Sequence, residues 1–163
     1  MAYLIDGHNL IPKIPGLSLQ AVDDENQLIL MLQEFCRIQR KPVEVYFDNG
    51  PIGQPKSGQF GLVKAHFVRR GTTADQAIHN RLVRLGKEAR NWTLVSSDLA
   101  VQNSARLAHA HYISSEAFAR LLAQVLAAAD KKESERTDGQ LSGDDLEEWL
   151  HLFGAEDDSK SQV

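Results

Sequence analysis

The chain has one cysteine, Cys36, among its 163 residues. Without a second thiol no intrachain disulfide can form, and a zinc site built from several cysteines is excluded. A reducing compartment fits this usage, and the expected location is the cytoplasm. No stretch is long and apolar enough to cross a bilayer. MAYLIDGHNL passes from the initiator Met into a short apolar run with no basic region and no long hydrophobic core, so no secretory leader is expected. The loops GxxxxGK[ST] and GxGxxG are also missing, which argues against a nucleotide-binding protein of the usual phosphate-cradling kinds. What remains, 42% hydrophobic and 25% charged, is the composition of one globular domain with a core of moderate size.

Charge is unevenly spread. The net charge is -4, but residues 130–163 hold eleven acids against four bases, which leaves eleven acids and fourteen bases in the body. A mildly basic body suits a polyanionic partner, the more so if several of its acids are committed to a metal; a solvated mixed surface gives the same count.

Hydrophobic periodicity orders the rest. AYLI followed by DGHN reads as a strand and a turn, and residues 26 to 40 put Leu28, Leu32 and Phe35 on one helical face. VEVYF followed by DNGP is a second strand and turn. Residues 50 to 61, GPIGQPKSGQFG, are expected to form a mobile loop under which Phe60 buries itself, and LVKAHFV is a third strand. Ala77, Ile78, Leu82 and Leu85 form the stripe of a helix whose first turn contains Asp75. WTLVSSD is a strand, LAVQNSARLA a helix launched from Asp98, and HAHYI a short strand on which His109 and His111 alternate. SSEAFARLLAQVLAAA is a helix whose Ser/Glu start resembles a capping box. This alternation predicts an α/β fold with a mainly parallel central sheet and helices on both faces. The expected domain covers residues 1–129. Residues 130–163 are expected to be a charged linker, a short helix at about 142–153 carrying Leu146, Trp149, Leu150 and Phe153 at helical spacing, and an acidic tail. That tail could compete with a polyanionic partner for the basic face, bind a partner through the Trp149 helix, or be a solvated appendage.

In a parallel α/β sheet, ligands bind beyond the carboxyl ends of the strands, where strand order reverses. Asp6, Asp48 and Asp98 each follow a hydrophobic strand at that edge, and Asp75 starts a helix on the same side. Any one of them is explained by turn formation or helix capping. Four carboxylates brought together repel, and a divalent cation is what makes the arrangement sensible. With oxygen ligands alone, Mg²⁺ or Mn²⁺ is the expected ion, and phosphodiester hydrolysis the reaction it serves.

LIDGHNL, VYFDNG, GTTADQAI and VSSDLAVQ, in that order, resemble the NYN domain family, in its YacP-like branch, over residues 2 to 129. That family is a division of the PIN-like nuclease superfamily. The resemblance implies a three-layer PIN/NYN-like fold, an acidic metal site, and metal-dependent endoribonuclease activity on RNA, with ribosome-bound messenger RNA as one expected substrate. Matched by position, Asp6, Asp48, Asp75 and Asp98 are the implied catalytic and metal-binding residues. Asn9, from the DGxN motif, and Gln102, one turn after Asp98, are implied to contact ligand or RNA. The branch often carries a second polar or acidic residue beside the Asp75 position, where this chain has Gln76.

Three further substrate contacts are expected from charge and position: Lys56 in the glycine-rich loop, and Arg69 and Arg70 before Asp75. His8, inside DGHN, is placed to touch phosphate or substrate. Two competing readings share the fold class. A non-catalytic RNA-binding module would not need the whole acidic set, and a metal-dependent phosphatase would usually carry a second acid two residues after its first, where this chain has His8. Oligomeric state, and one metal or two, are not specified by the sequence.

Overall fold

The computed structural model describes residues 1–17, 23–48, 57–69 and 71–140, with side chains described through residue 135. Among these residues six strands form one sheet: β1 (Ala2–Asp6), β2 (Val43–Phe47), β3 (Ser57–Phe60), β4 (Val63–Phe67), β5 (Trp92–Val95) and β6 (His111–Ile113). Their spatial order is β3-β4-β2-β1-β5-β6, all parallel except β3, which runs antiparallel to β4. From β1 the chain builds outward through β2 to β4, then crosses back to lay β5 on the other side of β1. The strand order therefore reverses between β1 and β5, and a crevice at their carboxyl ends is the outcome such a reversal produces.

The helices are α1 (Gly7–Leu10), α2 (Asp24–Gln39), α3 (Ala74–Leu85), α4 (Leu99–Leu107) and α5 (Ser115–Gln140), with 3₁₀ turns at Ile11–Lys13 and Gly86–Asn91. Every residue of β1 is buried because helices cover both faces of the sheet, as its uninterrupted apolar run requires. On one face Leu4, Tyr46 and Leu94 pack with Ile78 and Leu82 of α3 and Val101 and Ala105 of α4. On the other, the Tyr3 ring meets Phe35 of α2 and Phe118 of α5, with centroids 5.6 and 5.3 Å away. Edge-to-face and tilted packing of this kind adds to the area the rings bury.

An ion-pair cluster pins α3 to the sheet. Arg81 donates from Nε and Nη2 to the two oxygens of Glu44 on β2, at 2.9 and 2.8 Å, and its guanidinium lies 5.3 Å from the Trp92 ring centroid. Tyr46 donates to Glu44 as well, and stacks on His66 at 4.4 Å. Burial raises the Glu44 carboxyl, but its hydrogen-bonded neighbours outweigh that and hold it down to about 2. By geometry the Arg81 fork is the hydrogen-bonded neighbour, since His66 Nε2 is 3.8 Å away, too far for a hydrogen bond, and has no hydrogen-bond partner among the described residues.

Three local expectations are corrected. Residues 57–60, read as part of a loop, form β3: Gly61, at φ 64°, turns the chain back into β4, and the Gln59 amide donates to Gly61 O and Val63 O across that turn. Phe60 is accordingly 37% exposed on the sheet edge and not buried. The segment 130–140, read as the start of a linker, continues α5. Lys, Glu and Arg are good helix formers, and extending an existing helix needs no new nucleus. Finally, His109 and His111 do not share a strand face. His109 sits at φ 64° just beyond α4, where Ala110 N returns to Ala105 O and closes the helix. The expected helix at 142–153, with Trp149, lies outside the described residues. Met1–Ala123 and Gln124–Val163 are separate compact units, and the described part of the second is the continuation of α5. No helix among the described residues is long and apolar enough to cross a membrane.

Candidate active site

The four acids reach one end of the sheet by separate local devices. Asp6 is the last residue of β1 and is only 5% exposed; its Oδ2 accepts a hydrogen bond from the buried Ser96 hydroxyl at 3.2 Å. Gly7 follows because nothing larger fits: a Cβ there would overlap the Phe47 ring and lie 2.8 Å from Tyr46 O. Asp48, directly after β2, accepts from Ala74 N at 2.6 Å, which fastens the first turn of α3 to that strand end and brings Asp75 with it. Thr73, not Asp75, caps α3, accepting from Gln76 N at 3.1 Å. Asp98 is the N-cap of α4, its Oδ1 accepting from Ala100 N and Val101 N at 2.8 and 3.3 Å. Asp98 is therefore a helix cap and, at the same time, one of the acids gathered at this end of the sheet.

The acids feel one another. Burial, then the charge of Asp75, with smaller contributions from Asp48 and Asp98, pushes the Asp6 carboxyl up to about 6 although the Ser96 hydrogen bond opposes it. Asp75 is raised too, by desolvation and by Asp98 and Asp48. Negative charge is thus concentrated at the switch point without a compensating cation among these groups. The donor set is made of oxygen, and Asp6, Asp48 and Asp98 each hydrogen-bond through a single carboxylate oxygen among the described residues. By charge and donor type the residues fit a hard divalent ion. Among the described residues no three Asp, Glu, His or Cys side chains stand close enough together to enclose such an ion as they are.

The expected substrate contacts divide into groups. Asn9 turns its carbonyl inward, accepting from Ser97 N at 2.8 Å and from the Ser115 hydroxyl at 2.6 Å. Gln102 donates to Ser96 O at 2.7 Å. Both side chains hold the turn that carries Asp98. His8 is half-buried beside Phe47, and its Nε2 is 2.5 Å from Glu25 Oε2 on the first turn of α2. That hydrogen bond, against desolvation and with the charges of Glu25, Asp48 and Asp6, raises the His8 imidazole. Arg69 is half-buried just beyond β4. Lys56 and Arg70 lie outside the described residues. Gln76 donates to Asn80 along α3 and is exposed.

Several participants gave little sign of themselves in the sequence. Ser96, which the sequence shows only as part of the segment WTLVSSD, bridges Asp6 and the Asp98 backbone N–H. Glu116 does not reach back as a capping-box acid; Ser114 caps α5 by accepting from Ala117 N, and Glu116 instead accepts from the Ser97 hydroxyl and pairs with Lys13 at 3.2 Å.

The sequence model of the YacP-like NYN domain matches residues 3–152. The chain belongs to the YacP-like NYN domain family. The match runs past residue 129, beyond the domain end read from the sequence. Two solved structures share the fold of this NYN chain, both of Rae1 (YacP) from Bacillus subtilis. One has 23% identity over 94% of this chain and 92% of the other, with a TM-score of 0.70. The second, a W164L mutant, has 22% identity over 85% of each, with the same TM-score. No curated protein matches. Membership in the YacP-like NYN family supports a nuclease-type, RNA-related function.

Proposed function

We propose that the protein is a divalent-metal-dependent ribonuclease that cuts RNA internally, with Asp6, Asp48, Asp75 and Asp98 as its acidic centre. The observation that carries this reading is the Asp6 carboxyl, buried at the β1/β5 switch point and driven up to about 6 with three other acids contributing. Mg²⁺ or Mn²⁺ bound there would supply charge for the phosphodiester and an activated water. Asp6 and Asp98 would hold the ion from the two strands that flank the reversal, with Asp48 and Asp75 closing the site from the β2/α3 side. Ser96 restrains the orientation of Asp6 by its hydrogen bond. The His8 ring, beside this centre and fixed by Glu25, would meet the substrate phosphate.

A non-catalytic RNA-binding module is favoured by one observation: the acids do not stand as a closed ligand set. Cleavage assays separate the two readings. Wild type, Asp6→Asn and Asp98→Asn would be incubated with structured and single-stranded RNAs, and with translating ribosomes, in Mg²⁺, Mn²⁺ or EDTA. The nuclease reading expects internal cuts by the wild type alone, abolished by EDTA. RNA binding without cleavage on any substrate, ribosomes included, would replace it with the binding module.

A further inference from the structure

The turn that carries Asp98 is gripped from a distant part of the chain. Ser97, immediately before Asp98, donates its backbone N–H to Asn9, while its hydroxyl donates to Glu116 Oε1 at 2.5 Å and accepts from Ser115 N at 2.9 Å. Ser115 is fully buried, and its hydroxyl donates to the same Asn9 oxygen. Glu116 is steadied from outside by Lys13, at the end of the 3₁₀ turn that follows α1. Ser97 and Ser115 therefore meet over the Asn9 carbonyl, and the β5–α4 turn is held both from α1 and from the start of α5.

Ser115, the fully buried member, is costly to leave without a partner, and the half-buried bonds to Ser97 add to it, so the arrangement fixes the turn more firmly than capping alone would. Among the described residues the polar partners of Ser115 and Glu116 are Ser97, Asn9 and Lys13, not Asp6 or Asp98. Their route to the acidic centre is through Ser97, whose position sets where the next residue places its carboxylate.

We infer that Ser115 and Glu116, at the start of α5, are positioning residues for Asp98, acting through Ser97 to hold it at the geometry a bound divalent ion requires. This rests on the proposed metal-dependent site. Outer groups that orient a ligand typically change metal affinity or activity by about 10- to 100-fold when removed. Here Asp98 keeps its own capping bonds, so single variants should fall at or below the lower end of that range.

The test compares Glu116→Ala, Glu116→Gln, Ser115→Ala and the Ser115→Ala/Glu116→Ala double variant in the full chain. Mn²⁺ binding is read by calorimetry, kcat and KM on RNA by steady-state cleavage, and folding by thermal melts. Glu116→Ala and Ser115→Ala should each weaken Mn²⁺ binding and lower kcat by about 3- to 10-fold, with KM for RNA unchanged, and the double variant should lose more. Glu116→Gln keeps an acceptor for Ser97 and should stay within about twofold of wild type. Unchanged Mn²⁺ affinity in the double variant, with or without a lower melting temperature, overturns the positioning role while leaving the nuclease intact. Wild type that neither binds Mn²⁺ nor cuts RNA overturns both this role and the metal-dependent site.

Discussion

Replacing Asp6 by Asn should stabilise the metal-free protein at neutral pH, although the substitution removes a residue of the proposed centre. In the folded chain the Asp6 carboxyl is pushed up to about 6 from 3.8, chiefly by burial and by Asp75. At pH below 3.8 folded and unfolded chains both carry the proton, and the group is neutral to stability. As pH rises from 3.8 to about 6 the unfolded chain releases its proton first, so folding loses free energy through that window and stays penalised above it. About two pKa units at 1.36 kcal/mol each give a penalty of about 3 kcal/mol at pH 7.5. Asn has no charge to bury and can still accept from Ser96. Urea unfolding in EDTA should therefore show the variant about 3 kcal/mol more stable than wild type at pH 7.5, or roughly 10 °C higher in melting temperature, and nearly equal to it at pH 3.5. Adding Mg²⁺ should narrow the gap, because an ion held by the folded acids stabilises wild type by about 2.7 kcal/mol at a hundred times its Kd. A variant less stable than wild type at pH 7.5 in EDTA, or a gap of equal size at both pH values, would refute the account of strain at this carboxyl.

Other perturbations have expected outcomes of their own. Glu44→Ala leaves the Arg81 guanidinium without its forked partner and should cost about 3 kcal/mol in urea unfolding at pH 7, with little change in RNA cleavage. In wild type the contribution of Glu44, whose carboxyl is lowered from 4.5 to about 2, is present above pH 4.5 and lost as pH falls toward 2; acid unfolding of Glu44→Gln should be shallower across that window. Gly7→Ala should lower stability by about 1–3 kcal/mol, since its Cβ would meet the Phe47 ring and Tyr46 O, and should displace Asp6 enough to impair cleavage; a thermal melt identical to wild type would contradict the close approach. Arg40 ends α2 in the left-handed region at φ 56°, so Arg40→Gly should raise stability by roughly 0.5–1 kcal/mol in the same denaturation assay.

The sheet and the acids were legible from the chain because their signals are local. Apolar runs of the right length ended in Asp at residues 6, 48 and 98, and a parallel sheet brings such ends to one edge. Asp75 was readable by its place at the start of an amphipathic helix. The antiparallel β3 was hidden by the glycines and prolines around it, which dominate any reading of residues 50–61. The helical run through residue 140 was hidden by polarity: with seven of the eleven residues 130–140 charged, it resembles a linker until an apolar helix is known to lead into it. The inward role of Asn9 and the grip of Ser115 and Glu116 on Ser97 depend on contacts between separate segments of the chain, which leave no periodicity or spacing to detect; the Gln102 bond to Ser96 O spans only six residues but has no pattern of its own in the sequence.

Asn9 bonds to Ser97 across 88 positions and to Ser115 across 106. During synthesis the first of these residues leaves the ribosome long before the last, at a pace of about 5–20 residues per second. The β-strands nearest the amino terminus can pair while the turn before Asp98 still has only one of its supports. The support of the turn that carries Asp98 is therefore completed late, when the start of α5 has emerged and closed over Asn9, and a nascent chain stalled before Ser115 would hold all four acids yet lack the contacts that fix that turn.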